Sequence, residues 1–206
     1  MTKKLLTATR ALALIALTVT LTSAAPAAAG NDDGCGRCER DREGWLVGLN
    51  AGWGHSSFGA KEGSRTFTDE SFGGDFGGLR AGYAFSNSFA LTLEGYGFGS
   101  DEGGTDWGMG AGFATVTWFP GGGGFFVRGG LGIGGGEVLL RDTGRTVEFD
   151  SRAAGLFGIG YEWQLGRNFA LGVAADGFGF DLGGASGLDE DFVGSGGMSI
   201  QLNWYL

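Results

Sequence analysis

The sequence predicts an all-β fold, an eight-stranded antiparallel up-and-down transmembrane β-barrel, and three observations support this. Apolar side chains alternate with small or polar ones in eight successive segments, which is the period of a β-strand. Short turns and longer polar loops connect these segments alternately, as in barrels that span a membrane. The tryptophans fall at the predicted strand ends, where membrane interfaces attract aromatic rings. The 206 residues therefore provide one barrel domain and a targeting segment.

Residues 1–29 are predicted to be a bacterial secretory signal peptide. The first ten residues carry two lysines and an arginine, residues 11–21 are apolar, and 27–29 are three alanines that form a cleavage site. The apolar run is too short to span a bilayer comfortably, and no second long apolar run follows. We therefore expect an exported chain that is either soluble or inserted in a membrane as β-strands.

Residues 30–44 are predicted to form a periplasmic segment that carries the sequence CGRC. In an exported protein Cys35 and Cys38 can form a local disulfide. The acidic, irregular surroundings argue against a thioredoxin-like redox motif, which would follow a strand and open a helix. Nearby residues supply too few ligands for a metal site. We expect neither a metal nor a cofactor.

The charge balance excludes nucleic acid as a partner, because phosphate binding requires clustered Lys and Arg. The formal net charge is −9, and removal of the signal peptide takes away three basic residues and no acids, which makes it −12. The 46 glycines alternate with large apolar residues, a pattern that disordered segments lack. We interpret these glycines as small side chains on a crowded inner wall.

The barrel domain is predicted at 45–206, and its first strand at 45–54. Large side chains occupy one face of that strand, with Gly48 and Gly52 on the other. A long polar loop is predicted at 55–75. It is followed by the clearest hairpin of the chain.

Strands two and three are predicted as a hairpin at 77–99. A three-residue turn at 86–88 would pair Phe85 with Phe89 and place Arg80 directly opposite Glu94. One face would then be continuously apolar, and the other would hold small residues and one cross-strand ion pair. A soluble sandwich would bury the bulky face, whereas a membrane barrel would turn it toward lipid. The hairpin alone leaves both possibilities open.

Strands four and five are predicted within 107–134. Pairing Val116 with Val127 would turn Val116 toward lipid and the neighbouring threonines toward the interior, beside Arg128. This register leaves Met109 and Phe113 facing inward. We therefore predict a β-bulge that switches the parity of strand four higher up.

Strands six and seven repeat the pattern of the first hairpin, and pairing Trp163 with Phe169 places Glu162 and Asp176 inward. A short acidic loop is predicted at 100–106, and longer loops at 135–150 and 181–191. The last strand ends at Leu206, with its large apolar side chains outward and its polar ones inward.

Two groups of residues favour the membrane over a soluble fold. The four predicted loops hold 15 acidic and 4 basic residues, whereas the tight turns hold no acid. A soluble core would more often place aromatic rings at its centre than at strand ends. Aromatic girdles are predicted at the periplasmic ends of the strands for Trp45, Trp118, Trp163 and Trp204, and at the outer ends for Trp53 and Trp107.

The chain resembles the small outer-membrane barrels of the OmpA/OmpX-like superfamily. The resemblance rests on LRAGYAFSNSFALTLEGYG, IGYEWQLGRNFALGVAADG, FVRGGLGIG and MSIQLNWYL, and it covers residues 45–206. It implies a barrel-only member with a polar, ion-paired interior. It also implies recognition by the barrel-assembly machinery through the C-terminal strand, which here ends in Trp204, Tyr205 and Leu206.

Five inward-facing charges are the candidate site residues of the lumen: Arg80, Glu94, Arg128, Glu162 and Asp176. Arg152 lies near the outer end of strand six. One hypothesis is a gated pore in which Arg80 and Glu94 form a switchable pair. The alternative, which we favour, is that paired charges fill and close a narrow interior.

An enzyme that modifies lipid A would need a nucleophile activated by a base near the outer interface. His55, Ser56 and Ser57 lie at the right height. Adjacent residues of a strand point to opposite faces, however, and the chain contains no other histidine. Acidic loops lack calcium-loop spacing. We therefore expect no enzymatic activity.

The expected function is that of an outer-membrane protein of a Gram-negative bacterium, with a structural or surface-interaction role carried by acidic extracellular loops. The alternatives are a narrow, porin-like ion channel and, with less support, a lipid A-modifying enzyme. The expected partners are outer-membrane lipid and lipopolysaccharide, and the barrel is expected to be monomeric.

Overall fold

A computed structural model describes residues 42–62, 65–102, 105–140, 144–181 and 190–206. These residues form eight strands and one 3₁₀ turn: β1 Gly44–Glu62, β2 Arg65–Ser86, β3 Phe89–Glu102, β4 Thr105–Trp118, the turn Pro120–Gly122, β5 Phe125–Leu140, β6 Arg145–Gln164, β7 Phe169–Asp181 and β8 Glu190–Tyr205. In this part of the chain, no helix is long and apolar enough to cross a membrane. The predicted signal peptide, Cys35 and Cys38 lie outside the described residues.

The eight strands form a closed antiparallel barrel in which each strand pairs with its neighbours in sequence. The barrel is closed by β1 and β8, which pair from Leu46 opposite Tyr205 to Lys61 opposite Glu190. The predicted fold class is therefore confirmed. Closure leaves no unpaired sheet edge, which matters for strands with so many glycines.

The strands extend farther than the sequence predicts. β1 continues to Glu62 and β2 begins at Arg65, so most of the predicted loop 55–75 is a β-ladder. The predicted loops 100–106, 135–150 and 181–191 are shortened in the same way. An antiparallel hairpin can face water on both sides without losing its backbone hydrogen bonds. Polar composition therefore did not mark the ends of these strands.

In the first hairpin, Arg80 lies opposite Glu94 and Tyr83 opposite Leu91, as predicted. The turn differs. Ser86 pairs with Phe89 across a two-residue turn, and a register shift after Ala84 leaves Phe85 unpaired. The side chain of Ser86 accepts hydrogen bonds from the backbone N–H groups of Ser88 and Phe89 at 3.2 Å each, which stabilises the tighter turn.

The other two hairpin registers are each two residues away from the prediction. Trp118, not Val116, pairs with Val127. Trp163 pairs with Leu171, not with Phe169. Phe125 and Phe126 pair with β6 but not with β4, so the β4–β5 ladder begins at Trp118 and Val127, and the β6–β7 ladder begins at Gln164 and Ala170. A shift of two residues keeps each side chain on its face, so Val116 still faces outward and Arg128, Glu162 and Asp176 still face inward.

The predicted bulge in strand four is wrong. β4 pairs with β3 and with β5 without a register shift from Thr105 to Trp118. Met109 and Phe113 are nevertheless buried inside the barrel. The same alternate residues of β4 face inward throughout the strand, and only the size of their side chains changes.

The outer surface carries an apolar belt. Leu131 and Met198 are 79% and 71% exposed at mid-strand, as expected for side chains that face lipid. Five tryptophans point outward, with Trp53 the most exposed at 76%. Trp107 is the exception among the predicted girdle residues, because it lies on the inward parity of β4 and packs against buried aromatic residues.

Candidate functional site: the barrel lumen

The inward-facing side chains form three layers from the tight-turn end, which is the periplasmic end of such barrels, to the outer end. The first layer is the periplasmic network of Arg42, Glu162, Asn203 and Tyr205. The second is the central charge cluster of Arg80, Glu94, Arg128, Asp176 and Gln201. The third is the aromatic plug of Phe76, Tyr96, Phe98, Met109, Phe113, Ala154, Leu156, Phe178, Phe180 and Val193.

Arg128 is the centre of the charge cluster. Its Nε donates to Oδ1 of Asp176 at 2.8 Å, and its Nη2 donates to Oδ2 of the same carboxylate. Its Nη1 lies 3.5 Å from Oε2 of Glu94, and that glutamate also accepts a 2.8 Å hydrogen bond from Thr92. Arg128 is 1% exposed. A buried guanidinium thus lies between two buried carboxylates, an arrangement that is tolerable because the charges are paired.

Arg80 differs from the prediction. It lies opposite Glu94 in the ladder, but its guanidinium donates to Oε1 of Gln201 on β8. Glu94 forms its ion pair with Arg128 instead. Register alone identifies which backbones are opposed, whereas long side chains in a narrow lumen also reach strands across the barrel.

Glu162 belongs to a separate network near the periplasmic end. Its carboxylate accepts hydrogen bonds from Nε of Arg42 at 2.9 Å, from Nδ2 of Asn203 at 2.6 Å and from the Tyr205 hydroxyl at 3.0 Å. Arg42 was missed by the sequence analysis, which assigned it to the periplasmic segment. No periodic pattern marks a single arginine before the first strand.

The aromatic plug fills the outer half of the described lumen. The ring centroids of Phe76, Tyr96 and Phe113 lie 6.1, 6.0 and 6.0 Å from that of Phe178. Such spacing is that of a packed aromatic core. Arg128 lies under this plug, with its guanidinium carbon 5.8 Å from the Tyr96 ring centroid.

The plug corrects our interpretation of the glycines. In the outer half of β3 and β4, the large side chains face inward. The glycines of these strands face outward and are exposed: Gly95, Gly97, Gly99, Gly110 and Gly112. Nearer the turns the arrangement is reversed, and the large side chains face outward while the small ones face inward. The alternation of glycine with Tyr96, Phe98, Met109 and Phe113 is the signal that could have revealed the plug.

The structure places Arg80, Glu94, Arg128, Glu162 and Asp176 in the lumen, each at most 6% exposed, and leaves Arg152 exposed.

His55 and Ser57 face outward, whereas Ser56 is buried and donates to the carbonyl of Gly194 at 3.2 Å. The structure therefore does not bring the histidine and this serine to one face. Among the described residues, no group of three His, Cys, Asp or Glu could hold a metal ion.

Solved structures share this fold. Neisserial surface protein A is 14% identical, with a TM-score of 0.57 over 79% of this chain and 97% of that one. The attachment invasion locus protein Ail of Yersinia pestis is 16% identical, with a TM-score of 0.48 over 78% and 99%. OprG of Pseudomonas aeruginosa is 11% identical, with a TM-score of 0.45 over 80% and 98%. No protein-family model and no curated protein match the chain.

The chain thus has the fold of the small eight-stranded outer-membrane barrels. Its own surface supports the corresponding location, because a closed barrel with an apolar belt and outward tryptophans is stable in a bilayer. Bacterial barrels of this type lie in the outer membrane. Its environment is therefore outer-membrane lipid.

Proposed function

We propose that this protein is a closed, non-catalytic barrel of the outer membrane whose function is carried by its acidic outer segments. These segments would bind cationic partners at the cell surface. We also propose that residues 1–29 are a signal peptide and that the assembly machinery recognises the C-terminal strand of the barrel. The barrel is further proposed to be monomeric and in contact with lipopolysaccharide.

The observation that supports this proposal best is the filled lumen. Arg42, Arg128 and Phe178 each belong to a buried layer, and the three layers follow one another along the barrel axis. Eight-stranded barrels have interiors that side chains can fill completely. A barrel filled in this way is a scaffold, and the part that remains available for contacts is the outer end.

The charge distribution supports the cationic nature of the partner. The segments predicted as outer loops hold 15 acids against 4 bases, and the last of them ends in Asp189, Glu190 and Asp191. Clustered charge of one sign attracts oppositely charged partners and increases their association rate. This attraction weakens as salt screens it, with a Debye length of about 8 Å at physiological ionic strength.

The test compares two variants with equal changes in charge. One replaces Asp189, Glu190 and Asp191, at the end of the predicted outer loop 181–191, by Asn, Gln and Asn. The other replaces Asp32, Asp33 and Glu39 in the same way in the segment before the barrel. Fluorescent oligolysine is titrated into each refolded protein in zwitterionic micelles. We expect salt-sensitive binding that is several-fold weaker in the first variant only.

Equal binding by the wild type and both variants, or no binding by the wild type at low salt, would contradict the proposal. Heat-modifiable gel mobility serves as the folding control for all three proteins. Only a folded barrel should change its mobility on boiling.

The channel alternative has one observation in its favour. Several buried hydroxyl and amide groups of the periplasmic half have no hydrogen-bond partner among the described residues: Asn50 Oδ1, Thr115 Oγ1, Thr117 Oγ1, Ser199 Oγ and Gln201 Nε2. Buried groups of this kind commonly bind ordered water. The aromatic plug separates them from the outer end, so we favour a hydrated interior over a continuous pore.

A further inference from the structure

We propose that the periplasmic mouth of the barrel is a guanidinium-binding site, which the chain fills in cis with Arg42. The Arg42 side chain would then close this end of the lumen. Arg42 is completely buried although it precedes the first strand. A charged side chain is taken out of water in this way only where other groups replace its hydration.

The first of those groups is the carboxylate of Glu162. Nε of Arg42 donates to its Oε1 at 2.9 Å, and the side chains of the pair are 0% and 1% exposed. Two side chains of β8 hold the same carboxylate: Asn203 donates to its Oε2 at 2.6 Å, and the Tyr205 hydroxyl lies 3.0 Å from both of its oxygens. The acceptor is therefore oriented by the barrel wall and does not depend on Arg42 for its position.

Three backbone carbonyls complete the set of acceptors. Nη1 of Arg42 donates to the carbonyls of Asn87 and Gly122 at 3.1 and 3.2 Å, and Nη2 donates to that of Gly123 at 2.9 Å. Four of the five N–H groups of the guanidinium are thus bonded, counting the Nε bond to Glu162. These carbonyls come from two separate tight turns, which converge on one point.

Phe119 forms the remaining wall. The guanidinium carbon lies 4.0 Å from the centroid of its ring, within the range of a cation–π contact. Phe119 is itself buried and packs on Phe126, with ring centroids 5.7 Å apart. A planar guanidinium can stack on the ring and donate at its edge at the same time, whereas a lysine ammonium cannot.

The turn sequence is suited to presenting these carbonyls. Gly121 and Gly122 have φ values of 63° and 66°, which L side chains rarely adopt. Asn87 contributes twice, because its side-chain oxygen also accepts from the backbone N–H of Arg42 at 2.8 Å. The site is built from glycine turns, one carboxylate and one aromatic ring, and it selects a guanidinium by shape and donor number.

The experiment empties the site and refills it with a small ligand. The thermal midpoint of the refolded Arg42→Ala variant is measured by heat-modifiable gel mobility with methylguanidinium or methylammonium chloride at equal concentration. Methylguanidinium should raise the midpoint, by an amount that grows with the logarithm of its concentration. Methylammonium should not, and neither salt should do so in the wild type, where Arg42 fills the site.

The double variant Arg42→Ala, Glu162→Gln is the matched control, and it should lose the response to methylguanidinium. Equal responses to the two salts, or the same response in the wild type and in Arg42→Ala, would overturn the proposal.

A second measurement uses the intact protein, in case Arg42→Ala does not fold. In NMR spectra of the wild type, the Nε–H of Arg42 should exchange with water far more slowly than that of Arg167. Arg167 lies exposed in a turn at the same end of the barrel. Exchange of Arg42 as fast as that of Arg167 would show that the site is not closed.

Discussion

Arg128 determines how the charged interior is arranged at the scale of single residues. The sequence shows which charged residues face inward, because alternation along a strand assigns faces without knowledge of register. It does not show their partners. Arg128 reaches Asp176 on another strand and Glu94 on a third, and Arg80 reaches Gln201. Partner choice depends on side-chain length and lumen width, which a strand pattern does not contain.

The prediction at this scale is that Arg128 and Asp176 are strongly coupled. Removing Arg128 leaves two carboxylates buried without their guanidinium, so Arg128→Met should cost about 3–5 kcal/mol of unfolding free energy. Asp176→Asn should cost less, because Arg128 keeps Glu94 as a partner. The double variant should cost less than the sum.

Urea unfolding in lipid vesicles measures this cycle, and the Arg80 and Glu94 cycle is the comparison. We expect a smaller coupling between Arg80 and Glu94. Additive costs for Arg128 and Asp176 would refute the arrangement of the cluster.

At the scale of elements, the alternation predicted every strand and its orientation, while turn lengths and strand ends were harder to predict. The turn 119–124 contains a run of glycines, and the length of this run does not indicate which residues of β4 and β5 pair. The predicted pairing of these two strands therefore differs from the observed one by two residues. Likewise, Met109 faces inward because the size of the inward side chains changes along β4, and an alternation pattern does not distinguish such a change from a bulge.

Two glycines on neighbouring strands allow a test of the close contact between β4 and β5. A Cβ added at Gly132 would lie 1.8 Å from the carbonyl oxygen of Gly112, whereas one added at Gly112 would meet nothing within 4 Å. Gly132→Ala should therefore destabilise the barrel by about 1–3 kcal/mol, since the strand backbones must separate. Gly112→Ala should be neutral or slightly stabilising.

Both substitutions lower the conformational entropy of the unfolded chain by the same amount. The difference between their free energies of unfolding in urea therefore measures the steric clash alone. Equal effects of the two substitutions would mean that β5 does not pack on β4 at this register.

At the scale of the whole molecule, membrane placement could be predicted because it depends on the outer surface, where side chains face lipid. It does not depend on which side chains contact one another. The interior depends on which side chains meet across the barrel. The aromatic plug and Arg42 both escaped prediction for this reason. Together with the charge cluster, they produce the central property of the molecule, a lumen in which buried side chains form three successive layers over the described residues.

Single-channel recording of the refolded protein in planar bilayers tests this closed lumen most directly. The wild type should insert without discrete conductance steps. Arg80→Ala should behave in the same way, because the aromatic plug lies on the outer side of Arg80 and remains in place. Reproducible conductance steps from the wild-type barrel would contradict the account.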